Sequence, residues 1–316
     1  MNKITVIGAG NVGATCANVI AHKDLANEVV LLDVKEGLAE GKALDIWQTS
    51  SINHFNTRVT GSTNDYLKTR GSGIIVITSG IPRKPGMSRD DLIKTNANIV
   101  KEVTEKAIKY SPDAIIIVVS NPLDVMTYAA FLAANKDPHK VFGMAGILDT
   151  GRYKAFLANA LDVSPYDIHA MLLGGHGDTM VPLPRYTSVS GIPVTELLGK
   201  DVIDRIVERT RKGGGELVSL MGTSAWYAPG AAVTQMVEAI VDDQKRVFPV
   251  CAYLNGEYGQ KKLYLGVPVK LGKNGVEEII EISLNTEEKK MLTTSVKSVK
   301  DVMKVLDDMK LFDIQT

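Results

Sequence analysis

A histidine enclosed by glycines is the residue best placed to do chemistry in this sequence. His176 lies in Gly174-Gly175-His176-Gly177-Asp178, directly after an apolar run that predicts a strand. We expect its imidazole to face a cleft, and because imidazole titrates near neutrality the position suits a proton carrier. The other histidines lack this glycine setting, and surface or structural roles are expected for His22, His54, His139 and His169.

The segment 148–152, Leu-Asp-Thr-Gly-Arg, predicts the start of a helix at Thr150 and carries an acid and a base three residues apart. That spacing puts Asp149 and Arg152 on one helix face. Asp149 could accept a hydrogen bond from the second ring nitrogen of His176, while Arg152 could hold a carboxylate through two hydrogen bonds. The alternative is a helix N-cap with an ordinary surface ion pair.

Two segments follow predicted strands and could meet a ligand there. Segment 79–89, SGIPRKPGMSR, carries Arg83 and Arg89 among glycines and prolines. This pattern favours a mobile lid that closes over an anionic substrate and excludes water, although a charged surface loop is the alternative. Asn121, in Ser120-Asn121-Pro122, could bind substrate or cofactor with its amide, or could simply form a turn before proline.

A glycine-rich turn near the N-terminus predicts a dinucleotide site. The apolar run 4–7 leads directly into Gly8-Ala9-Gly10-Asn11-Val12-Gly13 and then into a predicted helix. That context gives the GxGxxG pattern its meaning, because the helix N-terminus can bind a pyrophosphate. Asp33 ends the next predicted strand, twenty residues after Gly13, where it can bind ribose hydroxyls and repel a 2′-phosphate. We therefore expect NAD rather than NADP, the alternative being a turn without function.

The elements that must position these residues follow two patterns. In the first half, short β-branched runs alternate with longer amphipathic stretches, which predicts an α/β fold with a doubly wound (Rossmann) parallel sheet. Strands are predicted at 4–7, 29–32, near 59, and at 74–78, 115–119 and 141–145, and helices at 12–22, 38–49, 90–110 and 123–134.

The alternation stops near residue 146, and the second half is predicted to be an α+β substrate and catalytic domain. We expect residues 1–145 to form the NAD-binding domain and residues 146–316 to form this second domain, with a cleft between them. After the helix at Thr150, strands are predicted at 168–172, 247–254, 263–269 and 276–284, and helices at 202–220 and 286–310.

Composition narrows the classes of partner. The 36 basic residues balance 36 acidic ones, so no net charge favours binding to nucleic acid. The two cysteines, Cys16 and Cys251, form no CxxC pair, and neither a metal site nor a disulfide is expected. There is no leader pattern and no apolar run of membrane-spanning length, so we expect a cytoplasmic protein that does not bind a membrane.

The same motifs, in this order, resemble the lactate/malate dehydrogenase family over essentially the whole chain. Within that family the similarity is greatest to the malate dehydrogenases that resemble lactate dehydrogenases. The motifs that carry it are IPRKPGMSRDDL, VSNPLDVMTY, GILDTGRY, LLGGHGD, ERTRKGGGE and GVPVKLGKNGVEEI.

The resemblance implies a role for each candidate residue. His176 would be the acid/base, Asp149 its partner, Arg152 the clamp for the C1 carboxylate, and Arg89 the lid residue that polarises the carbonyl. Asn121 would orient the substrate. The residues expected to hold NAD are Gly8, Gly10, Asn11, Val12, Gly13, Asp33, Asn96, Val119 and Asn121.

The resemblance also implies that substrate choice depends on Arg83, because lactate dehydrogenases are usually uncharged at this lid position whereas the malate enzymes carry an arginine. Oxaloacetate brings a second carboxylate into a closed site, where an unpaired charge is costly and a bidentate arginine offsets the loss of water. We therefore expect NAD-dependent oxidation of (S)-malate, with a lactate or broader 2-hydroxyacid dehydrogenase as the alternative. A catalytically silent NAD-binding or interaction protein is the non-enzyme alternative. Segment 222–230 resembles a pocket roof, with Trp226 where tyrosine is expected. The resemblance also implies a homo-oligomer, a tetramer being favoured over a dimer.

Overall fold

The computed structural model describes residues 1–82 and 86–312. Its first half is a parallel sheet in the order β3-β2-β1-β4-β5-β6 with helices between the strands, as the alternation predicts. The strands are β1 (Lys3–Ile7), β2 (Glu28–Asp33), β3 (Arg58–Thr63), β4 (Ile74–Ile77), β5 (Ile115–Val118) and β6 (Val141–Gly143). The helices are α1 (Asn11–His22), α2 (Leu38–Gln48), α3 (Ser50–Asn53), α4 (Arg89–Ile108) and α5 (Leu123–Ala134).

Continuous apolarity of the central strands reflects burial on both faces. All four residues of β4 are fully buried, and those of β5 are at most 5% exposed. Such strands need helices above and below them, which the helices of the first half supply. The predicted Rossmann-type α/β fold is therefore confirmed.

The second half adds small antiparallel sheets and long helices. Its strands are β7 (Ile168–His169), β8 (Leu172–Leu173), β9 (Val181–Pro182), β10 (Ser188–Val189), β11 (Ile192–Pro193), β12 (Arg246–Asn255), β13 (Lys261–Gly272) and β14 (Gly275–Ile279). Its helices are α6 (Gly146–Leu161), α7 (Val194–Leu197), α8 (Lys200–Met221), α9 (Tyr227–Val241) and α10 (Thr286–Asp308).

The three long antiparallel strands join the first sheet. Cys251 of β12 lies opposite Gly143 of β6, and β13 and β14 continue outward from there, which makes nine strands in one sheet within residues 1–82 and 86–312. A Cβ on Gly143 would lie 3.2 Å from the Cβ of Cys251 and 2.4 Å from Oγ1 of Thr127, so the glycine permits this close approach. The division between residues 145 and 146 stays a proposal, with the sheet continuous across it.

Several predicted bounds were wrong. Helix α6 begins at Gly146 instead of Thr150. Its first four residues are all buried, so the sequence there shows no helical alternation that would have revealed the start. The strand predicted at 168–172 is two short strands, and the one predicted at 276–284 ends at Ile279. Helix α9 was not predicted at all, since Pro229 and Gly230 near its start are typical of a turn.

Candidate active site

His176 is paired with a buried carboxylate. Its Nδ1 lies 2.8 Å from Oδ2 of Asp149, and the two side chains are 18% and 2% exposed. A neutral imidazole donating from Nδ1 to Asp149 leaves Nε2 free to exchange a proton with a substrate. Since the remaining histidines all occupy exposed positions, His176 differs from them in burial as well as in partner.

Asp149 also holds Arg152. Its Oδ1 accepts a hydrogen bond from Nη1 of Arg152 at 3.1 Å, and the Arg152 side chain is 14% exposed. Helix α6 begins with Ala145 as its N-cap, so Asp149 is not the cap that the alternative interpretation required. The Nε of Arg152 is buried and has no hydrogen-bond partner within residues 1–82 and 86–312. An unpartnered buried donor of this kind suits a bound carboxylate.

The surroundings of His176 favour its charged form. Burial of the ring lowers its pKa, but the charge of Asp149, the hydrogen bond to it and the charge of Asp124 act the other way, and Arg152 lowers it again. The outcome is a raised pKa. Imidazolium is therefore held to higher pH, which prepares this residue to donate a proton.

The turn after β1 fits a dinucleotide. Gly8 has φ +107°, and a Cβ on Gly13 would lie 1.8 Å from the carbonyl oxygen of Gly8, so both positions require glycine. In contrast, a Cβ on Gly10 would meet nothing within 4 Å. That open space, next to the first turn of α1 where Asn11 and Val12 lie, would admit a pyrophosphate.

Asp33 closes this turn from the neighbouring strand. Its Oδ2 accepts the N–H of Ala9 at 2.6 Å, and its Oδ1 accepts the N–H of Lys35 at 2.9 Å. The carboxylate at the end of β2 is thereby fixed beside the glycine turn, where ribose hydroxyls could reach it. Its expected contact with NAD stays a prediction.

Asn96 joins the loops that follow β4 and β5. Its Oδ1 accepts the N–H of Ile81 at 2.9 Å, and its Nδ2 donates to the carbonyl oxygens of Ile81 at 3.2 Å and Asn121 at 2.7 Å. Its amide is thus used within the protein, where it holds the loop after β4 against the loop after β5. Val119 is 9% exposed and Asn121 is exposed at this same strand edge, and the direct NAD contacts predicted for all three stay predictions.

The predicted lid lies partly outside the described residues. Arg83 falls there, together with Lys84 and Pro85. Arg89 is exposed and is the first residue of α4, whose N-terminus Ser88 and Asp91 fix through a capping box. The capping box fixes the C-terminal end of the predicted lid segment to the start of α4.

One residue of the site was missed by the sequence reasoning. Asp124 is 8% exposed and its Oδ2 accepts the main-chain N–H of His176 at 3.0 Å. The signal that could have found it is a single carboxylate in the otherwise uncharged helix LDVMTYAAFLAA. A buried charge in such a helix needs a partner.

Trp226, at the predicted pocket roof, precedes α9, and the centre of its ring lies 5.2 Å from the ring centre of Tyr227.

Within the described residues, no cluster of His, Cys, Asp or Glu is arranged to hold a metal ion. No helix in that part of the chain is long and apolar enough to cross a membrane.

Family models match both halves of this chain. Residues 2–143 match the lactate/malate dehydrogenase NAD-binding domain, and residues 147–309 match the family's alpha/beta C-terminal domain. The malate dehydrogenase of Cytophaga hutchinsonii is 66% identical over 305 residues, which cover 96% of this chain and 98% of that protein.

Solved structures show the same likeness. The malate dehydrogenase of Salinibacter ruber is 55% identical, with a TM-score of 0.94 and 98% of each chain covered. A lactate dehydrogenase of Cryptosporidium parvum, in complex with lactic acid and NAD, is 40% identical, with a TM-score of 0.93 and 97% and 98% of the two chains covered. The chain therefore belongs to the lactate/malate dehydrogenase family.

Proposed function

We propose that this chain is an NAD-dependent malate dehydrogenase, which interconverts malate and oxaloacetate. The observation that carries the proposal is the arrangement of His176, Asp149 and Arg152, in which one buried carboxylate holds both an imidazole and a guanidinium. A proton carrier beside a carboxylate-binding group is what reduction of a 2-oxoacid requires. The high identity to malate dehydrogenases over nearly the whole chain supports the same activity.

The residues divide the work as follows. Arg152 binds the C1 carboxylate, using the buried Nε that has no partner within the described residues. His176 donates a proton from Nε2 to the oxygen of the ketone as it becomes an alkoxide, and Asp149 holds the ring in the required tautomer. Bound NADH supplies the hydride for this reduction, and NAD accepts one in the reverse direction.

The lid residues complete the site. We assign Arg89 to polarising the carbonyl and Arg83 to the second carboxylate of oxaloacetate. Oxaloacetate and malate have this group, whereas pyruvate and lactate have a methyl, so Arg83 is the residue on which substrate choice depends. Asn121, at the end of β5, orients the substrate from the sheet edge.

Cofactor choice follows from the turn after β1. The open space at Gly10 would admit the pyrophosphate, the first turn of α1 would offer its N–H groups, and Asp33, fixed by the N–H of Ala9, would accept hydrogen bonds from the adenosine ribose. A 2′-phosphate would lie beside that carboxylate, so NAD is preferred over NADP.

A direct assay tests the activity. NADH absorbance is followed with oxaloacetate, with pyruvate and without substrate, for the wild type and for His176→Asn. We expect rapid oxidation with oxaloacetate only, and its loss in the variant with NADH binding retained. Equal or faster reaction with pyruvate would identify a lactate dehydrogenase. Binding of NADH without any turnover would identify a silent NAD-binding protein.

We also propose a homo-oligomer in the cytoplasm, a tetramer being favoured. Large apolar side chains are exposed along α2 and α3, where Leu44, Trp47 and Ile52 are 57%, 37% and 73% exposed. Such a face favours burial against another copy. The buried free thiols of Cys16 and Cys251 fit a reducing compartment. Sedimentation analysis measures the oligomer directly, and a monomer at micromolar concentration would contradict it.

A further inference from the structure

A second buried carboxylate contacts the main chain of His176. Asp124 lies in the first turn of α5, is 8% exposed, and accepts the His176 N–H on Oδ2 at 3.0 Å. Asp149 meets the same residue at its ring. Two carboxylates therefore act on one histidine, and only Asp149 belongs to the mechanism described above.

The contacts of Asp124 are those of an ionised group. Its Oδ1 lies 3.3 Å from Sγ of Cys251, whose pKa burial raises well above its ordinary value, so this thiol stays protonated and donates. Both carboxyl oxygens thus accept hydrogen bonds. Burial raises the pKa of Asp124 above its ordinary value, and the charge and N–H of His176 and the thiol of Cys251 offset only part of that rise. The N-terminus of α5 favours the negative charge further.

The segment that carries His176 is held closely against Asp124. A Cβ on Gly175 would lie 2.6 Å from Cγ2 of Val299 and 3.2 Å from Oδ2 of Asp124. The Gly175 N–H donates to Oγ of Ser295 at 2.8 Å. The N–H of Gly175 is therefore held by the neutral hydroxyl of Ser295, and the next N–H, that of His176, by the carboxylate of Asp124. Ser295 is for this reason a matched control for Asp124.

The groups around His176 come from several elements. Helix α6 contributes the acid Asp149 and the base Arg152, while Asp124 comes from α5 and Cys251 from β12. The contacts from α10 are uncharged, and Asp178 on the segment itself is exposed. Among the residues that the structure describes, the charges nearest the imidazole are thus two acids and one base.

We propose that Asp124 is a positioning residue for proton transfer, fixing the main chain of His176 and stabilising its imidazolium with a second buried negative charge. The inference rests on the proposed acid/base role of His176. Removing the charge while keeping the shape should make imidazolium lose its proton at lower pH. Reduction of oxaloacetate needs imidazolium, so as the pH rises the variant should lose this activity at a lower pH than wild type does. Malate oxidation, which needs the neutral imidazole, should correspondingly appear at a lower pH in the variant.

The test compares Asp124→Asn with Ser295→Ala in the full-length enzyme. The titration of His176 is followed by NMR in the absence of substrate, its signal identified by its loss in His176→Asn. We expect a lower midpoint in Asp124→Asn and an unchanged one in Ser295→Ala. The ratio of kcat/KM for oxaloacetate in Asp124→Asn to that in wild type should fall on the order of threefold to tenfold between about pH 6 and about pH 8.

The contrary outcomes are distinct. An unchanged midpoint in Asp124→Asn, or equal changes in both variants, would overturn the role of the charge. Retention of turnover by His176→Asn would instead overturn the acid/base role of His176, and absence of oxaloacetate reduction by the wild type would overturn the proposed function, while the NMR midpoints would still test the coupling. If Asp124→Asn does not fold, carboxyl 13C spectra of the wild type decide, the Asp124 signal being the one that moves in Cys251→Ala. The chemical shift of the Asp124 signal should be that of a carboxylate over the whole pH range in which His176 titrates. The shift of a neutral carboxyl group in that range would overturn the proposal.

Discussion

At the scale of single residues, the spacing of the sequence shows which groups can meet but not what surrounds them. His176 and Asp149 were found because glycines and a three-residue spacing are local features, and the structure brings them to 2.8 Å. Asp124 was missed because its contacts come from residues 52 and 127 positions away. Contacts between distant segments leave no periodic trace in a sequence.

Arg83 and Arg152 should differ in what they discriminate. Arg83→Gln removes the partner of the carboxylate that only oxaloacetate has, so kcat/KM for oxaloacetate should fall on the order of a thousandfold while pyruvate holds steady or gains. Arg152→Gln should depress both substrates together. The oxaloacetate-to-pyruvate ratio is measured at two ionic strengths. If Arg83 were only a solvated cation, Arg83→Gln would cause a small, salt-sensitive change in kcat/KM and would leave the oxaloacetate-to-pyruvate ratio unchanged. That result would exclude the role assigned to Arg83.

At the scale of elements, the sequence predicted helices best where prolines mark their ends, as for α5 between Pro122 and Pro138, or where buried and exposed residues alternate, as in α8. Helix α5 matched its predicted bounds, and α8 matched within two residues at each end. The start of α6 was misplaced because its first residues are all buried, and α9 was missed because most of it is buried and Pro229 and Gly230 near its start are typical of a turn. Burial by the rest of the chain is the information that the local pattern lacks.

The packing of α1 on the turn after β1 gives a matched pair of variants. A Cβ at Gly13 would lie 1.8 Å from a main-chain oxygen, so Gly13→Ala should displace the helix and lower the melting temperature markedly. Gly10→Ala meets open space and should leave stability near that of wild type, yet its methyl would occupy the space assigned to the pyrophosphate. We expect it to weaken NADH binding, measured by fluorescence. Equal NADH affinity in Gly10→Ala and wild type would contradict the assigned phosphate site.

The N-terminus of α10 depends on a buried carboxylate. Glu288 is 5% exposed, accepts the N–H of Asn285 in a capping box, and pairs with Arg185 at 2.8 Å. Burial raises its pKa, but the hydrogen bond from Arg185, that from Asn285 and the charge of Arg185 together lower it. Its stabilisation is therefore present above its unfolded-state pKa and is lost as the pH falls through the lower folded-state value.

We expect Glu288→Gln to lower the free energy of unfolding by about 1–2 kcal/mol at neutral pH. This difference should shrink as the solution is acidified, because the wild-type carboxylate then becomes neutral too. Denaturant titrations over a range of pH measure it. The exposed neighbour Glu287 provides the control, and Glu287→Gln should change stability little. A loss that did not depend on pH would mean that the charge of Glu288 contributes nothing.

At the scale of the whole molecule, one sheet runs through both predicted domains. Pairing of β12 with β6 makes the two halves share a hydrophobic core, in which residues of both are packed together. We therefore expect the chain to unfold in a single calorimetric transition, whose calorimetric and van't Hoff enthalpies agree for the folded unit. Two separated transitions, or a soluble and folded fragment 1–145, would show that the halves fold independently.

The same strand pairing has a consequence for synthesis on the ribosome. Strand β6 ends at Gly143, but its partner residue Cys251 is made only after about a hundred more residues have been added. At ordinary rates of translation this takes roughly 5–20 seconds, during which the outer edge of β6 offers its hydrogen-bonding groups to any neighbouring nascent chain. The interval between these two residues is thus a period in which the emerging protein is exposed to aggregation and would benefit from chaperones.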